Sequence, residues 1–289
     1  MVPAASITVA STHWEFPGGG MSLAEPRVMG VLNLTPDSFS DGGRLRTVDQ
    51  VLRRAETMLQ EGAHIVDVGG ESTRPGSAVV SVDEELARVI PAVEALVRNV
   101  PLPVSVDTRK AAVAQAALQA GASVVNDVSG LAFDPEMTSV VAAFQAGLVV
   151  MHMRGVPSSM AQFTHYTHLV NEVMEELEEG LRRSREAGIP RERVVVDPGI
   201  GFAKTAIQSL HMLREVPRLL ELGHPVLVGP SRKSFLNEVE ALQAEERVDG
   251  TVSACVVAFL GGARIFRVHD VKPVARALRV AHAIREAQA

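Results

Sequence analysis

Eight short apolar runs in this chain stop at, or next to, a residue able to do chemistry. They end near Asn33, Asp67 (HIVDV), Asp107 (PVSVD), Asn126 (ASVVND), His152 (LVVMH), Asp197 (RVVVD), Gly229 (PVLVG) and His269 (ARIFRVH), the last also carrying Arg267. A buried ionisable group is costly unless it is paired. One such residue usually satisfies a neighbouring backbone group, whereas several that converge on one end of a sheet make a ligand site. Two aspartates and an asparagine suit a planar edge bearing an amino group and a ring N–H, as in a cyclic guanidine-like heterocycle. Lys233, in GPSRKSF, offers a compact charge to a ring oxygen or nitrogen, and Phe202 and Met151 are placed to cover the ring's faces. Arg267 and His269 come just before a helix-like stretch at Val271, and helix N-termini favour phosphate. If the first and last strands are neighbours, Asn33 lies beside that anion site. A neutral oxygen there suits Mg²⁺, which keeps waters and phosphates for most of its shell.

The runs themselves are Val/Ile-rich and nearly continuous, as strands buried on both faces should be. Helix-like segments alternate with them: 48–61, 83–97, 111–120, 135–146, 165–187, 209–222, 247–260 and 271–286. Ser81 with Glu84 reads as a capping box. Gly62, Gly121, Gly147 and Gly188 fall where helix C-caps belong. Eight strands alternating with eight helices predict a single-domain α/β protein, a (β/α)8 barrel with its site at the carboxyl ends of the strands. An open doubly wound sheet is the alternative, and no GxGxxG or Walker loop follows the first strand to support it. Residues 1–26 read as a short N-terminal arm in which Ile7–Val9 and Trp14–Phe16 pair as a hairpin. Residues 27–289 make the catalytic domain.

Composition narrows the function. The 289 residues are 46% hydrophobic with a net charge of −6 and no basic block, which argues against nucleic acid. No apolar run reaches a membrane span and no signal peptide is evident, so a cytoplasmic protein is expected, with no membrane partner. The one cysteine, Cys255, sits in an apolar helix-like run and reads as a structural thiol. GxSxG and HExxH are missing. His165 and His168 read as a solvated pair on a helix start, and the acidic run Glu175–Glu179 as an exposed helix face. Of the 28 cationic residues only four are lysine: Lys110, Lys204, Lys233 and Lys272. Three of them shortly follow a strand-like run, and Arg and Lys are not interchangeable in a close-fitting site.

MGVLNLTPDSFSDGG (29–43), DVGGESTRPG, SVDT, NDVSG, DPGIGFAK, GPSRKSF and RVHD occur in this order. Together they resemble the dihydropteroate synthase family over Arg27 to the end. The resemblance implies a transferase that joins p-aminobenzoate to 6-hydroxymethyl-7,8-dihydropterin diphosphate and releases diphosphate. It implies a homodimer and a target of sulfonamides. Carried over, it puts the pterin at Asp107, Asn126, Asp197 and Lys233, and the diphosphate at Arg74, Arg267 and His269, with Mg²⁺ on Asn33. Thr73, Pro75, Phe39, Phe202 and Ser231 frame p-aminobenzoate, and Met151 lines the pterin. Lys233, Asp107, Asp197 and Asp37 are the residues expected to carry the reaction. Ala203 stands in DPGIGFAK where the family commonly has Gly, which matters only if φ is positive there. Corrinoid methyltransferases that use methyltetrahydrofolate share a pterin pocket but need no diphosphate site, and a non-catalytic pterin-binding paralogue is the third reading. Because Phe39, Thr73 and Pro75 sit on Gly/Ser/Pro-rich loops that also carry Asp37, Asp41 and Arg74, p-aminobenzoate is expected to bind after diphosphate and Mg²⁺.

Overall fold

The computed structural model of the protein describes residues 12–34, 44–73, 76–77, 79–239, 243 and 246–287. A hairpin, β1 (His13–Trp14) and β2 (Met21–Ser22), leads into β3 (Arg27–Asn33). There follow α1 (Arg44–Glu61), β4 (Ile65–Gly69), α2 (Val82–Asn99), β5 (Val104–Asp107), α3 (Ala111–Gln119), β6 (Val124–Asp127), α4 (Met137–Ala143) and β7 (Gly147–Met151). The chain continues through α5 (Leu169–Glu186), β8 (Val194–Asp197), α6 (Ala206–Arg214), α7 (Val216–Leu219), β9 (Leu227–Val228), α8 (Val248–Leu260), β10 (Ile265–Val268) and α9 (Val271–Glu286).

β3 to β10 form one parallel sheet in the order β8-β7-β6-β5-β4-β3-β10-β9. A parallel bridge, Val196 with Val226, joins the two ends. The expected barrel is therefore the observed one. β3 and β10 are paired, so Asn33 and Arg267 do belong to adjacent strands.

Side chains alternate across a strand with period two. That period places the site. Met29, Ile65, Val124, Val149, Val195, Leu227 and Ile265 point into one end of the barrel and pack with Trp14, Phe16 and Leu23 of the arm. Two residues further along the same strands stand Asp67, Asn126, Met151, Asp197 and Arg267. The residues between, such as Val66, Val125, Leu148, Val150 and Val196, face the helices in the larger outer core. The barrel thus has an apolar closed end and a polar mouth.

At the closed end the described hairpin is β1 with β2. Trp14 pairs with Met21, while Ile7–Val9 lie outside the described residues. Trp14 is fully buried, meets Phe16 edge-on at 5.4 Å and donates from Nε1 to Arg193 O at 2.9 Å. Gly147 differs from expectation. It starts β7 instead of capping α4, and a Cβ there would stand 3.1 Å from Phe16 Cβ and 3.3 Å from Trp14 Nε1. Gln145 takes the left-handed conformation near that helix end, with φ 54°.

Other boundaries moved for local reasons. The stretch 209–222 is not one helix: Pro217, at the start of α7, cannot donate back to the preceding turn, and the chain breaks at Glu215. At α2 only half of the capping box forms, because Glu84 N donates to Ser81 Oγ at 3.2 Å while the Glu84 carboxylate turns to Arg88. A full box caps α6, between Thr205 and Gln208. His165 and His168 are exposed, and His168 is the N-cap of α5, as a solvated pair at a helix start should be. Cys255 is buried in α8, and burial pushes its thiol up. Among the described residues no helix is long and apolar enough to cross a membrane.

Replacing Trp14 with Ala should cost about 3–5 kcal/mol, the usual loss for an aromatic removed from a packed core. Urea unfolding followed by circular dichroism measures it. A loss below about 1 kcal/mol would mean that the arm does not hold the closed end.

Candidate active site

Four side chains meet in the mouth by direct bonds. Arg267 on β10 donates from Nε to Asp67 Oδ2 and from an Nη to Asp107 Oδ2, both at 2.6 Å. Asn126 on β6 donates to the same Asp67 oxygen at 3.0 Å. Asp67, Asp107 and Asn126 are almost wholly buried. The other oxygen of each carboxylate, Asp67 Oδ1 and Asp107 Oδ1, is buried with no hydrogen-bond partner among the described residues. Orphaned acceptors of this kind are rare in folded proteins. Here they are two acceptors waiting for a donor, as the cyclic guanidine-like edge would be.

Electrostatics agree with the geometry. Burial pushes Asp107 up to about 7; Arg267 pulls it down and Asp67 pushes it further up. Burial works against the Arg267 cation, but Asp67 and Asp107 outweigh it and raise its pKa. Asp197, at the end of β8, is raised by burial and lowered by Lys233. Its Oδ1 accepts from Gly199 N at 2.7 Å. Lys233 is half-buried, and enclosure of its amine brings it down to about 8 against the pull of Asp197.

Lys233 does not close an ion pair with Asp197. Its amine donates to Ile200 O and lies 4.4 Å above the Phe202 ring. Phe202 and Met151 belong to a small apolar wall with Val128, Met160 and Ala203. Across the mouth, Ser231 Oγ accepts from His269 N at 3.1 Å and lies equally close to His269 Nδ1. Asn33 ends β3, half-buried. A Cβ on Gly69 would stand 3.7 Å from Asn33 Oδ1 and 3.6 Å from Asp107 Oδ2.

The second loop is anchored at both stems. Lys110 Nζ donates to Glu71 Oε2 at 3.0 Å and to Val80 O at 2.7 Å, and also to Glu85. Thr73, half-buried, lies between these anchors. Arg74 and Pro75 of this loop, and Asp37, Phe39 and Asp41 of the first, lie outside the described residues.

Two features escaped the sequence reading. Asp67, named at a strand end but not assigned a ligand, is the acceptor that links Asn126 to Arg267. His152 and Lys204 form a buried pair behind the mouth, and Glu176 of the acidic run reaches it: His152 Nε2 lies 3.1 Å from Glu176 Oε2. That glutamate is therefore not only part of an exposed face. The scarcity of Lys was the one signal pointing to Lys204. Ala203 does have positive φ, 46°.

The family model for pterin binding enzymes matches residues 29–269. A dihydropteroate synthase of Synechocystis sp. is 48% identical over 89% of this chain and 89% of its own length. The dihydropteroate synthase of Yersinia pestis, solved as a complex with a sulfonamide drug, superposes with a TM-score of 0.90 at 40% identity, over 95% of this chain and all of that one. The enzyme of Xanthomonas albilineans, solved with 4-aminobenzoic acid, gives 0.90 at 43% identity over 96% of this chain and all of that one. The chain belongs to the pterin-binding enzyme family, on the branch of the dihydropteroate synthases.

Asp107 has a stability consequence. Its folded-state value is raised from 3.8 to about 7, so the native state holds a proton that the unfolded chain releases. That contribution is complete below about pH 4 and lost as pH rises through about 7. The stability of the wild type relative to Asp107→Asn should therefore fall over that window, by on the order of 1 kcal/mol per pH unit. Urea unfolding of both proteins across the range reads it. A pH-independent difference would show that Arg267 keeps Asp107 ionised throughout.

Proposed function

We propose that the protein catalyses the condensation of 6-hydroxymethyl-7,8-dihydropterin diphosphate with p-aminobenzoate to give 7,8-dihydropteroate and diphosphate, in cytoplasmic folate synthesis. The observation that carries this reading is the buried cluster of Asp67, Asp107, Asn126 and Arg267, in which Asp107 Oδ1 has no hydrogen-bond partner among the described residues. The cluster shares the barrel mouth with Asp197, Lys233 and His269.

The pterin's amino group and ring N–H would donate to Asp107 and Asp197, with Asn126 and Lys233 on its ring oxygen or nitrogens and Phe202 and Met151 on its faces. Arg267 keeps N–H groups beyond the two it gives to Asp67 and Asp107, so it can serve the diphosphate as well. The bond between the methylene carbon and the diphosphate oxygen breaks, and the electron pair leaves with diphosphate. Positive charge then grows on the pterin-conjugated carbon. Buried carboxylates bind the pterin more tightly as that charge grows, which is differential binding of the transition state. The aryl amine attacks with its lone pair, a C–N bond forms, and one amine proton is released. No strong general base is required, in keeping with a mouth whose described residues offer carboxylates and a lysine but no catalytic triad.

Asn33 is the residue that would hold Mg²⁺, as a neutral, hard oxygen at the mouth among future phosphate oxygens. Once bound, the ion would neutralise the leaving diphosphate. Thr73 and Ser231, with Arg74, Pro75, Asp37 and Phe39 outside the described residues, are assigned to p-aminobenzoate and diphosphate on the resemblance.

A homodimer is part of the reading. An apolar cleft of about 360 Å³ lies between α6, the turn Ser234–Glu238 and α8, lined by Leu210, Leu213, Phe235, Leu236 and Val257 among others. Val257 and Leu260 of α8 are more than half exposed. A second copy covering this face would explain both. Val257→Asp should shift sedimentation toward the monomer; an unchanged sedimentation coefficient would exclude this face.

Purified protein with dihydropterin diphosphate, p-aminobenzoate and Mg²⁺ should release diphosphate, and chelation should suppress it. Pterin binding without turnover would instead select a non-catalytic protein. Lys233→Arg should lower kcat/KM at least about tenfold, because the larger planar guanidinium does not match the compact ammonium bonded to Ile200 O. A wild-type value in that variant would remove Lys233 from its assigned role.

A further inference from the structure

The loop that follows β8 has an unusual backbone. Gly199, Gly201 and Ala203 all have positive φ, at 65°, 79° and 46°. The first two are glycines for close approach: a Cβ on Gly199 would overlap His152 O, and one on Gly201 would stand 3.2 Å from Lys233 Cδ. Ala203 has no such excuse, and a left-handed non-glycine residue costs roughly 1–2 kcal/mol. A loop so bent needs something to hold it.

The holders are side chains. Lys204 Nζ donates to Gly199 O at 3.2 Å and Phe202 O at 3.1 Å, and lies 2.8 Å from His152 Nδ1. The Tyr166 hydroxyl donates to Ala203 O at 3.0 Å. Lys233 takes Ile200 O. Four carbonyls of the loop are therefore capped by two of the chain's four lysines and its single tyrosine.

Lys204 is the centre of this arrangement. An ammonium has three donors and no acceptor, and Lys204 has three acceptors around it. His152 must then present a bare Nδ1 and carry its proton on Nε2, aimed at Glu176. Burial, followed by the Lys204 charge, lowers His152 to about 4, which keeps it neutral. Glu176 is fixed in turn by Arg154 Nε at 2.8 Å, and the Arg154 guanidinium lies 3.9 Å from the Tyr166 ring centroid. The same arginine thus stands behind both pins. Lys204 is only 8% exposed. Burial brings the Lys204 amine down to about 7, and its removal would leave three buried acceptors unpaired, so global stability falls with it and a local readout is needed to show what it holds.

We propose that Lys204 is a positioning residue: it holds the Gly199–Ala203 loop in its left-handed course and thereby seats Lys233 and Phe202 for the pterin. The assignment of Lys233 and Phe202 to the pterin rests on the function proposed above; the pinning of the loop does not. Two measurements keep these apart.

The first uses no ligand. Amide hydrogen exchange of the 198–205 segment should speed up at least about tenfold in Lys204→Met, and by more than that of β7 and β8. Unchanged loop exchange overturns the proposal, and so does an equal increase across the barrel, which would make Lys204 a general core residue. The second is a double-mutant cycle of Lys204→Met and Lys233→Met, read by calorimetric binding of a pterin. If Lys204 acts through the loop that seats Lys233, the two losses are not additive. Strict additivity, with loop exchange raised, would confine Lys204 to the loop and refute its action on Lys233. Wild-type protein that binds no pterin would sink the functional reading, while the exchange result would still decide the pinning. If Lys204→Met does not fold, Tyr166→Phe replaces it in both measurements, with a smaller change expected in the same direction and the same absence of change overturning the proposal.

Discussion

One guanidinium between two buried carboxylates sets the terms for the rest of the mouth. Asp67 and Asp107 stand on neighbouring strands, and in a water-poor interior their like charges repel strongly. Arg267 reaches past β3 from β10 and takes one oxygen of each. Its planar guanidinium holds the Nε and Nη donors in fixed directions, one toward each acid. The fork also orients the acids. With one oxygen of each committed to Arg267, the other is buried without a partner among the described residues, and Asn126 donates to the shared Asp67 oxygen. On the function proposed above, recognition of the heterocycle and neutralisation of the leaving group would both run through this side chain.

Much of this was legible in the chain because a β-strand has a period of two. An inward apolar residue followed two positions later by Asp, Asn or Arg marks a strand that passes from a closed end to an open one. Ile65 and Asp67, Val124 and Asn126, Val195 and Asp197, and Ile265 and Arg267 all follow that rule. The helices were legible as existing elements, less so at their ends, where Pro217 and Gly147 answered to local sterics that hydrophobic periodicity does not report. The pairings inside the mouth could not be read. Nothing in the chain says that Arg267 serves two carboxylates at once, or that Glu176, on a helix face that looks solvated, bends inward to His152. Such contacts depend on where loops bring side chains, which spacing along the chain does not encode.

The two ends of the barrel also divide the energetics. Around the mouth are unpaired carboxylate oxygens, lysines with depressed pKa values and a left-handed alanine, each unfavourable by itself. At the other end the inward side chains and the arm's Trp14, Phe16 and Leu23 are apolar and fully enclosed. These features stand at the mouth on a scaffold whose apolar burial lies at the other end.

Trp14 joins the chain's beginning to residues far along it. Its indole reaches Arg193, and the adjacent Glu15 N donates to Glu192 O at 2.9 Å. Those partners are synthesised only after five of the eight barrel strands, so these two hydrogen bonds cannot form until then. Contacts of such long sequence separation form late, since the loop entropy must be overcome first. Trp14 is also the only tryptophan in the protein. Its fluorescence therefore reports on the base of the barrel, where it packs with inward side chains of seven strands.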